Sequence, residues 1–346
     1  MNMPAILVTG GTGYIGSHTT VELMEAGMDV VIIDNLVNST KEVIDGIAEI
    51  TGKRPYFEEV DLRDRSATFS VFEKYPDIEA VIHFAAFKAV GESVEKPLAY
   101  YENNLLSLVH LLEAMKKYGV ANIVFSSSCT VYGEPDNLPV TEEAPIKAAN
   151  SPYGNTKQIS EEILMDVVGS TPEIRVISLR YFNPIGAHPS AKIGELPLGV
   201  PANLVPFITQ TAIGIRETLR VFGDNYSTPD GSAIRDYINV VDLSRAHVVA
   251  IQRLMDDRQK SSFEVFNLGT GKGLSVFEVI HAFERATGEK VTYKVVARRE
   301  GDVEQVFADT SFANKELGWK AERGIDETLL SAWNWEKHIR NKKESK

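Results

Sequence analysis

The chain has 346 residues and a formal net charge of −12 at pH 7, and 43% of its residues are hydrophobic and 24% charged. This ordinary usage excludes disordered, collagen-like and coiled-coil proteins, and the acidic balance leaves no broad attraction for nucleic acid or anionic membranes. At roughly 150 residues per domain the length predicts two domains. Cys129, the one cysteine, excludes an internal disulfide framework and a cysteine-rich zinc site, so we expect a cytoplasmic protein.

The beginning of the chain predicts a strand rather than a signal peptide. Residues 1–11 contain no basic segment and only a short apolar run before the first glycines. No apolar stretch in the sequence approaches the roughly 18 residues that a membrane span needs. We therefore expect no membrane partner.

Strand-like and helix-like segments alternate through the first half of the chain. Continuous apolar runs predict buried strands at residues 5–9, 30–33, 80–84, 122–126 and 174–179. The apolar spacing between some of these runs predicts helices at residues 19–26 and 105–118. This alternation indicates an α/β fold of Rossmann type, in which helices cover both faces of a doubly wound parallel sheet.

The pattern changes after Arg180. Prolines and glycines interrupt residues 183–206, and so long an irregular segment inside a compact domain is typical of a binding site. We place the domain boundary here, giving domains of residues 1–180 and 181–346, the second smaller and mixed α/β, although segments such as 235–255 could pack back on the first. Helices are predicted in the second half at residues 204–216, 276–287 and 326–337.

Three glycines follow the first predicted strand. Gly10, Gly13 and Gly16 are spaced three apart between this strand and a helix, as a tight turn, a close approach to a pyrophosphate and close helix–strand packing require. The helix N-terminus supplies free N–H groups for that pyrophosphate. Asp34 ends the next strand, where a carboxylate binds adenosine ribose hydroxyls and repels a 2′-phosphate. The sequence therefore predicts that residues 1–180 bind NAD rather than NADP.

A tyrosine and a lysine are spaced for catalysis. Tyr153 precedes Lys157 by four residues, so the two side chains share one helix face. Ser151 is suited to the N-cap and Pro152 to the first helical position. We expect the ammonium, the helix N-terminus and a cationic nicotinamide to favour the phenolate, so that the tyrosine acts as a base near neutral pH.

Hydroxyl side chains end the strand before this helix. Ser128 is placed to reach a ligand at the carboxyl edge of the sheet, whereas the neighbouring Ser126 and Ser127 could equally satisfy backbone groups. No charged neighbour in the sequence activates Cys129. The seven histidines show no paired metal spacing, so we expect no metal.

Eight ordered motifs together resemble the UDP-glucose 4-epimerase family of the extended short-chain dehydrogenase/reductase class. They are GGTGYIGSH (10–18), DNLVNS (34–39), HFAAFKAVGESVEKP (83–97), FSSSCTVYG (125–133), SPYGNTK (151–157), RYFNPIGAHPS (180–190), RDYINVVDL (235–243) and RREGD (298–302). The resemblance extends from residue 5 to about residue 335. It implies reversible inversion of carbon 4 of a UDP-hexose with recycled NAD, and a homodimer joined through helices of the nucleotide domain.

The resemblance also implies roles for individual residues. Tyr153 and Lys157 are the implied catalytic pair, with Ser128 bonded to the sugar. The implied NAD-binding residues, besides that pair, are Gly10, Gly13, Tyr14, Ile15, Asp34, Asn35, Asn38, Ser39, Asp61, Leu62, Phe84, Ala85, Lys88, Asn103 and Tyr181. The implied UDP-sugar residues, besides Ser128, are Asn183, Asn203, Leu204, Phe222, Arg235, Arg299 and Asp302.

One further position bears on the breadth of substrates. In proteins resembling this one, a tyrosine shortly after the RREGD segment is associated with restriction to UDP-glucose and UDP-galactose. The corresponding residue here is Val306, whose smaller side chain predicts room for UDP-GlcNAc and UDP-GalNAc. The alternative is that Val306 packs inward and Phe307 fills the space.

Three other functions compete with epimerisation. A nucleotide-sugar 4,6-dehydratase or decarboxylase of the same fold is the nearest, but residues 129–133, directly after Ser128, include no carboxylate to assist elimination. A net dehydrogenase would release NADH stoichiometrically. A non-enzymatic NAD-sensing protein would have no need of Ser128, Tyr153 and Lys157 together.

Overall fold

The computed structural model describes residues 5–299 and 303–344. Its strands are β1 Ala5–Thr9, β2 Asp29–Asp34, β3 Tyr56–Glu59, β4 Ile78–His83, β5 Asn122–Ser128, β6 Arg175–Tyr181, β7 Asn183–Ile185, β8 Leu219–Phe222, β9 Ile234–Asn239, β10 Phe263–Leu268, β11 Gly273–Ser275, β12 Tyr293–Val296 and β13 Gln305–Val306. Its α-helices are α1 Tyr14–Glu25, α2 Glu42–Thr51, α3 Arg65–Lys74, α4 Val90–Glu95, α5 Pro97–Tyr118, α6 Pro152–Ser170, α7 Leu204–Ala212, α8 Val240–Met255, α9 Val276–Thr287 and α10 Ile325–Glu344.

Seven strands form one parallel sheet in the order β10-β6-β5-β4-β1-β2-β3. The chain runs outward from β1 to β3 and then returns to place β4 on the other side of β1. Ligands in such sheets bind at this reversal, in the crevice beyond the carboxyl ends of the two central strands. The Rossmann-type fold predicted from the sequence is confirmed.

Alternate side chains of the central strands enter two separate cores. Ile6 and Val8 pack with α1 and α8 on one face, and Leu7 and Val31 pack with α3 and α5 on the other. Each fully buried aliphatic side chain contributes about 1.5–3 kcal/mol. These two layers therefore hold the carboxyl ends of the strands, and the loops that follow them, in fixed positions.

The chain beyond residue 180 contributes to both parts of the molecule. Strand β10 extends the large sheet beside β6, and α8, within the segment 235–255, packs against α1. The other strands form a sheet of β11, β9 and β13, with β7 also paired to β9, and a separate pair of β8 and β12. Helices α7, α9 and α10 enclose a third core around Ile208, Phe283 and Trp333. This second part is the smaller, mixed α/β unit.

The observed elements differ from the predicted ones mainly at their ends. The helix predicted at 105–118 begins at Pro97, because its first turns bury polar side chains, Asn103 and Asn104 among them, that give no apolar period. The helix predicted at 204–216 ends at Ala212, since Gly214 takes a positive φ of 82°. Within the described ranges, no helix has both the length and the apolar character needed to cross a membrane.

Candidate active site

The glycine turn between β1 and α1 lies at the reversal of the sheet. Gly10 has a φ of +70°, and a Cβ on it would lie 2.8 Å from the Ala85 nitrogen that follows β4. A Cβ on Gly16 would lie 2.3 Å from the Gly10 carbonyl oxygen. Gly13 precedes α1 and provides no side-chain cap, so the first N–H groups of the helix face the crevice uncapped. This is the geometry that binds a pyrophosphate.

Asp34 is held at the end of β2 by hydrogen bonds from the glycine turn and from its own loop. Its carboxylate accepts from the backbone nitrogen of Thr12 at 3.2 Å and that of Leu36 at 2.9 Å. The Ser39 hydroxyl donates to it at 3.2 Å and also contacts the Thr12 hydroxyl at 2.6 Å. Asn38, beside Ser39, is exposed. The structure thus brings the predicted ribose-binding carboxylate against the predicted phosphate turn.

A second carboxylate, that of Asp61, lies just after β3 and close to the loop that follows Asp34. The Asn35 amide donates to Asp61 at 3.2 Å. The Arg63 guanidinium bonds the same carboxylate at 2.7 Å and lowers the pKa of Asp61 to about 2. Leu62 between them is buried. Asn35, Asp61 and Leu62, predicted from the resemblance to bind NAD, are therefore neighbours.

The residues that directly follow β4 lie against the end of β1. The Phe84 nitrogen donates to the Thr9 carbonyl at 3.0 Å, and the Ala85 nitrogen to the Thr9 hydroxyl at 3.3 Å. Lys88 lies 5.8 Å from the centre of the Tyr14 ring. Asn103 on α5 is buried, and its amide donates to the Asn104 side chain at 3.1 Å. The Asn104 amide in turn donates to the Phe87 carbonyl, in the loop after β4, at 3.1 Å.

Tyr153 and Lys157 lie in the first turns of α6. The Ser151 hydroxyl caps the helix by accepting from the Gly154 nitrogen at 3.1 Å, and Pro152 opens it. The Lys157 ammonium donates to the Ser126 carbonyl at 2.6 Å and lies 6.0 Å from the centre of the Tyr153 ring. The lysine is thus tied to the end of β5 beneath the tyrosine.

Burial governs the ionisation of this pair. It raises the pKa of Tyr153 to about 12, although a hydrogen bond with Ser128 opposes the rise. It lowers the pKa of Lys157 to about 8, against the attraction of Glu161. In the protein by itself, burial therefore disfavours the phenolate of Tyr153.

The predicted substrate residues lie on the smaller unit. The Arg299 guanidinium stacks 4.4 Å from the centre of the Phe222 ring, at the end of β8. Arg235 on β9 donates to the Ile234 carbonyl at 2.8 Å. Asn183 begins β7, and Asn203 precedes Leu204, the first residue of α7. Asp302 lies outside the described residues.

Pairing of β13 with β9 sets Val306 beside Arg235. Val306 is buried in an apolar cluster with Ala308 and Cys129, the neighbour of Ser128. Phe307 takes the opposite face of the segment, where its ring lies against Gly273 of β11. Val306 therefore packs inward, while the Phe307 ring lies beside β11.

Hydrogen bonds of Tyr14 and Lys88 join the nucleotide unit to the smaller unit. The Tyr14 hydroxyl donates to the Gly186 carbonyl at 2.7 Å. Glu195 accepts from Lys88 at 3.3 Å and from Asn203 at 2.6 Å. Residues predicted to bind NAD and residues predicted to bind the UDP-sugar are thus brought together by the fold.

Comparison with known proteins decides the family. A family model described as GDP-mannose 4,6 dehydratase matches residues 7–331. The UDP-glucose 4-epimerase of Bacillus subtilis is 52% identical over 332 residues, which cover 96% of both chains. The chain belongs to the UDP-glucose 4-epimerase family.

Solved structures of this family superpose along nearly the whole chain. The Stenotrophomonas maltophila UDP-glucose 4-epimerase, with bound NAD and formylated UDP-arabinopyranose, has a TM-score of 0.94 at 47% identity and covers 98% of this chain and 99% of its own. The Bifidobacterium longum enzyme, in complex with NAD⁺ and UDP, has a TM-score of 0.93 at 47% identity and covers 97% and 99%. These epimerases are members of the extended short-chain dehydrogenase/reductase class.

Sequence reasoning missed the polar group beneath the catalytic pair of this epimerase-family chain. Ser127, Glu161 and Arg180 are buried, and the serine and the arginine both donate to the Glu161 carboxylate. A glutamate on a helix and an arginine on a strand are ordinarily solvated, so nothing in their types marked them. The one available signal was spacing, since Glu161 follows Lys157 by four residues, as Lys157 follows Tyr153.

Proposed function

We infer that the protein catalyses the reversible C4 epimerisation of UDP-glucose and UDP-galactose, using bound NAD. The observation that carries this inference is the pair of Tyr153 and Lys157 at the end of β5, where Lys157 bonds the Ser126 carbonyl and Ser128 bonds the tyrosine. The identity of about half of all residues with UDP-glucose 4-epimerases supports it.

The residues at the crevice fit NAD. A Cβ on Gly10 or Gly16 would fill the turn, and the uncapped start of α1 offers N–H groups to a pyrophosphate. The Asp34 carboxylate lies where a ribose with free hydroxyls can donate to it. When bound, NAD supplies a reversible hydride acceptor for carbon 4 of the sugar.

Tyr153 is the proposed acid and base for the 4-hydroxyl. It takes the proton while the sugar is oxidised to the 4-keto form and returns it when the other face is reduced. Ser128 hydrogen-bonds both the tyrosine and, we propose, the sugar. Lys157 holds positive charge below the ring, and a cationic nicotinamide would add to it, which together offset the desolvation that raises the pKa of the free tyrosine.

The smaller unit is proposed to hold UDP and leave the hexose able to turn. Arg235 and Arg299 present guanidinium groups that suit the diphosphate, and the Phe222 ring beneath Arg299 offers a face to an aromatic base. Asn183, Asn203, Leu204 and Asp302 are the further proposed contacts. Binding energy placed on UDP, remote from carbon 4, would leave the hexose free to turn while UDP stays bound.

Dehydration is the nearest rival, because the matching family model is named for a 4,6-dehydratase. Elimination needs an acid or base beside Ser128. Cys129 occupies the next position, and burial raises the pKa of its thiol to about 12, so it remains protonated at neutral pH. The observed side chains favour epimerisation.

A coupled assay tests the inference. Purified protein is incubated with UDP-galactose, and the products are separated by chromatography while absorbance at the NADH band is recorded. We expect UDP-glucose to accumulate with no stoichiometric NADH. Release of one NADH per product would indicate a dehydrogenase, and a 4-keto-6-deoxy sugar would indicate a dehydratase.

We propose that the N-acetylated pair, UDP-GlcNAc and UDP-GalNAc, is also epimerised. Val306 lies in the cluster that contains Cys129, while Phe307 faces away. A valine leaves volume that a tyrosine would occupy, and exclusion of a larger substrate requires an atom in the way. We expect Val306→Tyr to reduce turnover of UDP-GalNAc by at least about 10-fold and that of UDP-galactose far less. Absence of wild-type UDP-GalNAc turnover would refute the proposal.

We propose that two copies associate through α5 and α6. These helices pack together and expose large apolar side chains, among them Leu98 at 81%, Leu106 at 41% and Met165 at 48%. Exposed apolar surface on adjacent helices is typical of an interface. Leu98→Glu combined with Met165→Glu should convert a dimer to a monomer in sedimentation, whereas Val295→Glu on β12, an equally apolar exposed site, should not.

The cytoplasm is the location we propose. Its reducing conditions suit a chain whose single cysteine is unpaired. Fractionation of cells that express the tagged protein, with recovery in the cytosolic fraction, is the expected result.

A further inference from the structure

Three consecutive serines at the end of β5 contact three positions along one face of α6. Lys157 donates to the Ser126 carbonyl, and the Ser127 hydroxyl donates to Glu161 at 2.6 Å. Ser128 is hydrogen-bonded to Tyr153. Residues 153, 157 and 161 are four apart, so they stack along the helix surface that faces the strand.

Glu161 is the most heavily bonded of these three helix positions. One carboxylate oxygen accepts from Ser127, from Ser178 at 2.7 Å and from the Arg180 Nε at 3.0 Å. The other accepts from Arg180 Nη2 at 2.5 Å. The donors come from β5 and β6, the two strands on which α6 rests. The carboxylate therefore fixes the height and rotation of α6 above both strands.

Arg180 extends the network to a third strand. Its Nη1 donates to the Tyr132 hydroxyl at 3.0 Å, which donates to Asn267 of β10 at 2.7 Å. Burial alone would lower the pKa of Arg180, but the Glu161 carboxylate outweighs it and raises the pKa above the ordinary value. The guanidinium is thus charged, and its neutralising partner is Glu161.

Stability alone is a weak reason to bury such a pair. The side chains of Arg180 and Glu161 are 7% and 5% exposed. Desolvation of two ions consumes most of their attraction, and an apolar pair of similar volume is often as stable. Unlike an apolar pair, the ion pair also forms a directional bond with Ser127. Ser127 lies between Ser126 and Ser128, which contact Lys157 and Tyr153.

We propose that Glu161 is a positioning residue for the Tyr153–Lys157 pair, and this proposal rests on the proposed epimerase function. Anchored by Ser127, Ser178 and Arg180, Glu161 holds α6 in the register that places both side chains at the end of β5. It also supplies negative charge one helical turn beyond the Lys157 ammonium.

Titratable and charged groups lie near Lys157 on its own helix, on β4 and on β6. Tyr153 and Glu161 lie on its own helix, one turn away in each direction. From β4, the buried His83 is electrostatically coupled to the lysine, and burial lowers the pKa of His83 to about 3, so this imidazole is neutral. From β6, Arg180 acts through the carboxylate that it bonds. Removal of the Glu161 charge consequently leaves the Arg180 guanidinium without its carboxylate partner and removes an attraction that raises the pKa of Lys157.

The test compares Glu161→Gln with wild type and with Glu173→Gln, a matched loss of an exposed carboxylate just beyond α6. We expect Glu161→Gln to lower kcat by about 10- to 100-fold with KM for UDP-galactose and bound NAD little changed. The alkaline limb of its kcat profile should move to lower pH by about 0.5–1 unit. Glu173→Gln should change neither.

Two further measurements separate positioning from stability and from activity. The 13Cε chemical shift of Lys157, assigned by its loss in Lys157→Met, reports ammonium titration without turnover, and its midpoint should fall in Glu161→Gln. The double variant Glu161→Met with Arg180→Met removes the ion pair without leaving a buried charge; it should fold and yet retain a depressed kcat. That double variant also carries the test if Glu161→Gln does not fold.

The outcomes are distinct. A folded double variant with kcat within about twofold of wild type, or an unchanged Lys157 titration and pH profile in Glu161→Gln, would overturn the positioning role. Failure of the wild-type protein to interconvert the two UDP-hexoses would instead overturn the proposed function. In that case the Lys157 titration still decides whether Glu161 governs the lysine.

Discussion

At the scale of single residues, Tyr153 is the side chain on which the proposed chemistry depends most directly. Its phenol is the only group of the pair that can carry the substrate proton in both directions, because Lys157 is bonded to the Ser126 carbonyl. We expect Tyr153→Phe to reduce turnover by at least about 10²-fold, the usual scale for loss of a general acid and base. NAD content and thermal unfolding should remain near wild type, as measured after denaturation and by calorimetry. Turnover close to wild type would rule out this assignment.

Asp34 determines the expected choice between NAD and NADP. Its carboxylate is bonded by the Thr12 and Leu36 nitrogens and by Ser39, so it cannot turn away from the ribose position without breaking these bonds. A 2′-phosphate would meet this charge. After removal of bound cofactor, NAD should restore epimerisation and NADP should not. Equal reactivation by both would show that the ribose lies elsewhere.

At the scale of secondary-structure elements, the contact of α1 with the glycine turn sets how closely the helix approaches the sheet. A Cβ on Gly16 would meet the Gly10 carbonyl, whereas a Cβ on Gly169 of α6 would meet nothing within 4 Å. We expect Gly16→Ala to lower the free energy of unfolding by about 1–3 kcal/mol and to weaken NAD retention. Gly169→Ala, also within a helix but exposed, should raise it by about 0.5–1 kcal/mol. Denaturant unfolding of both variants measures the difference.

At the scale of the whole molecule, three buried histidines couple stability to pH. Burial lowers the pKa of His18 and of His83 to about 3 and that of His247 to about 4. The unfolded chain binds protons to these imidazoles near the ordinary value of about 6.5, while the folded chain does not. The contribution of these histidines to stability is therefore fully present above a pH of about 6.5 and is lost as pH falls from about 6.5 toward 4.

The expected slope can be measured. Each such histidine contributes up to about 1.4 kcal/mol per pH unit, so together they give up to about 4 kcal/mol per unit near pH 5. Urea unfolding at pH 7, 6 and 5 should show this decline. His247→Gln should reduce the slope by about one third. A slope that is unchanged in this variant would mean that His247 is protonated in the folded chain.

Much of the fold and part of the site follow from local sequence patterns. The glycine spacing, the strand that ends at Asp34 and the cap at Ser151 each belong to a few consecutive residues, whose backbone period decides which side chains share a face. The starts of α1 and α5 escaped prediction because buried glycine, serine and asparagine residues there carry no apolar period.

What the sequence by itself determined is therefore the class of fold, the phosphate-binding turn and the Tyr153–Lys157 spacing, since each is set by the repeat of one strand or helix. Only the tertiary structure decided that Val306 lies beside Arg235 and that Glu161 bonds Arg180. Those contacts join residues far apart in the chain, and they form because burial of apolar side chains packs α6 on the large sheet and the smaller unit over its carboxyl edge. Burial also raises the pKa of the tyrosine in the protein by itself, because the cost of desolvating a charge depends on the surrounding fold and not on sequence neighbours.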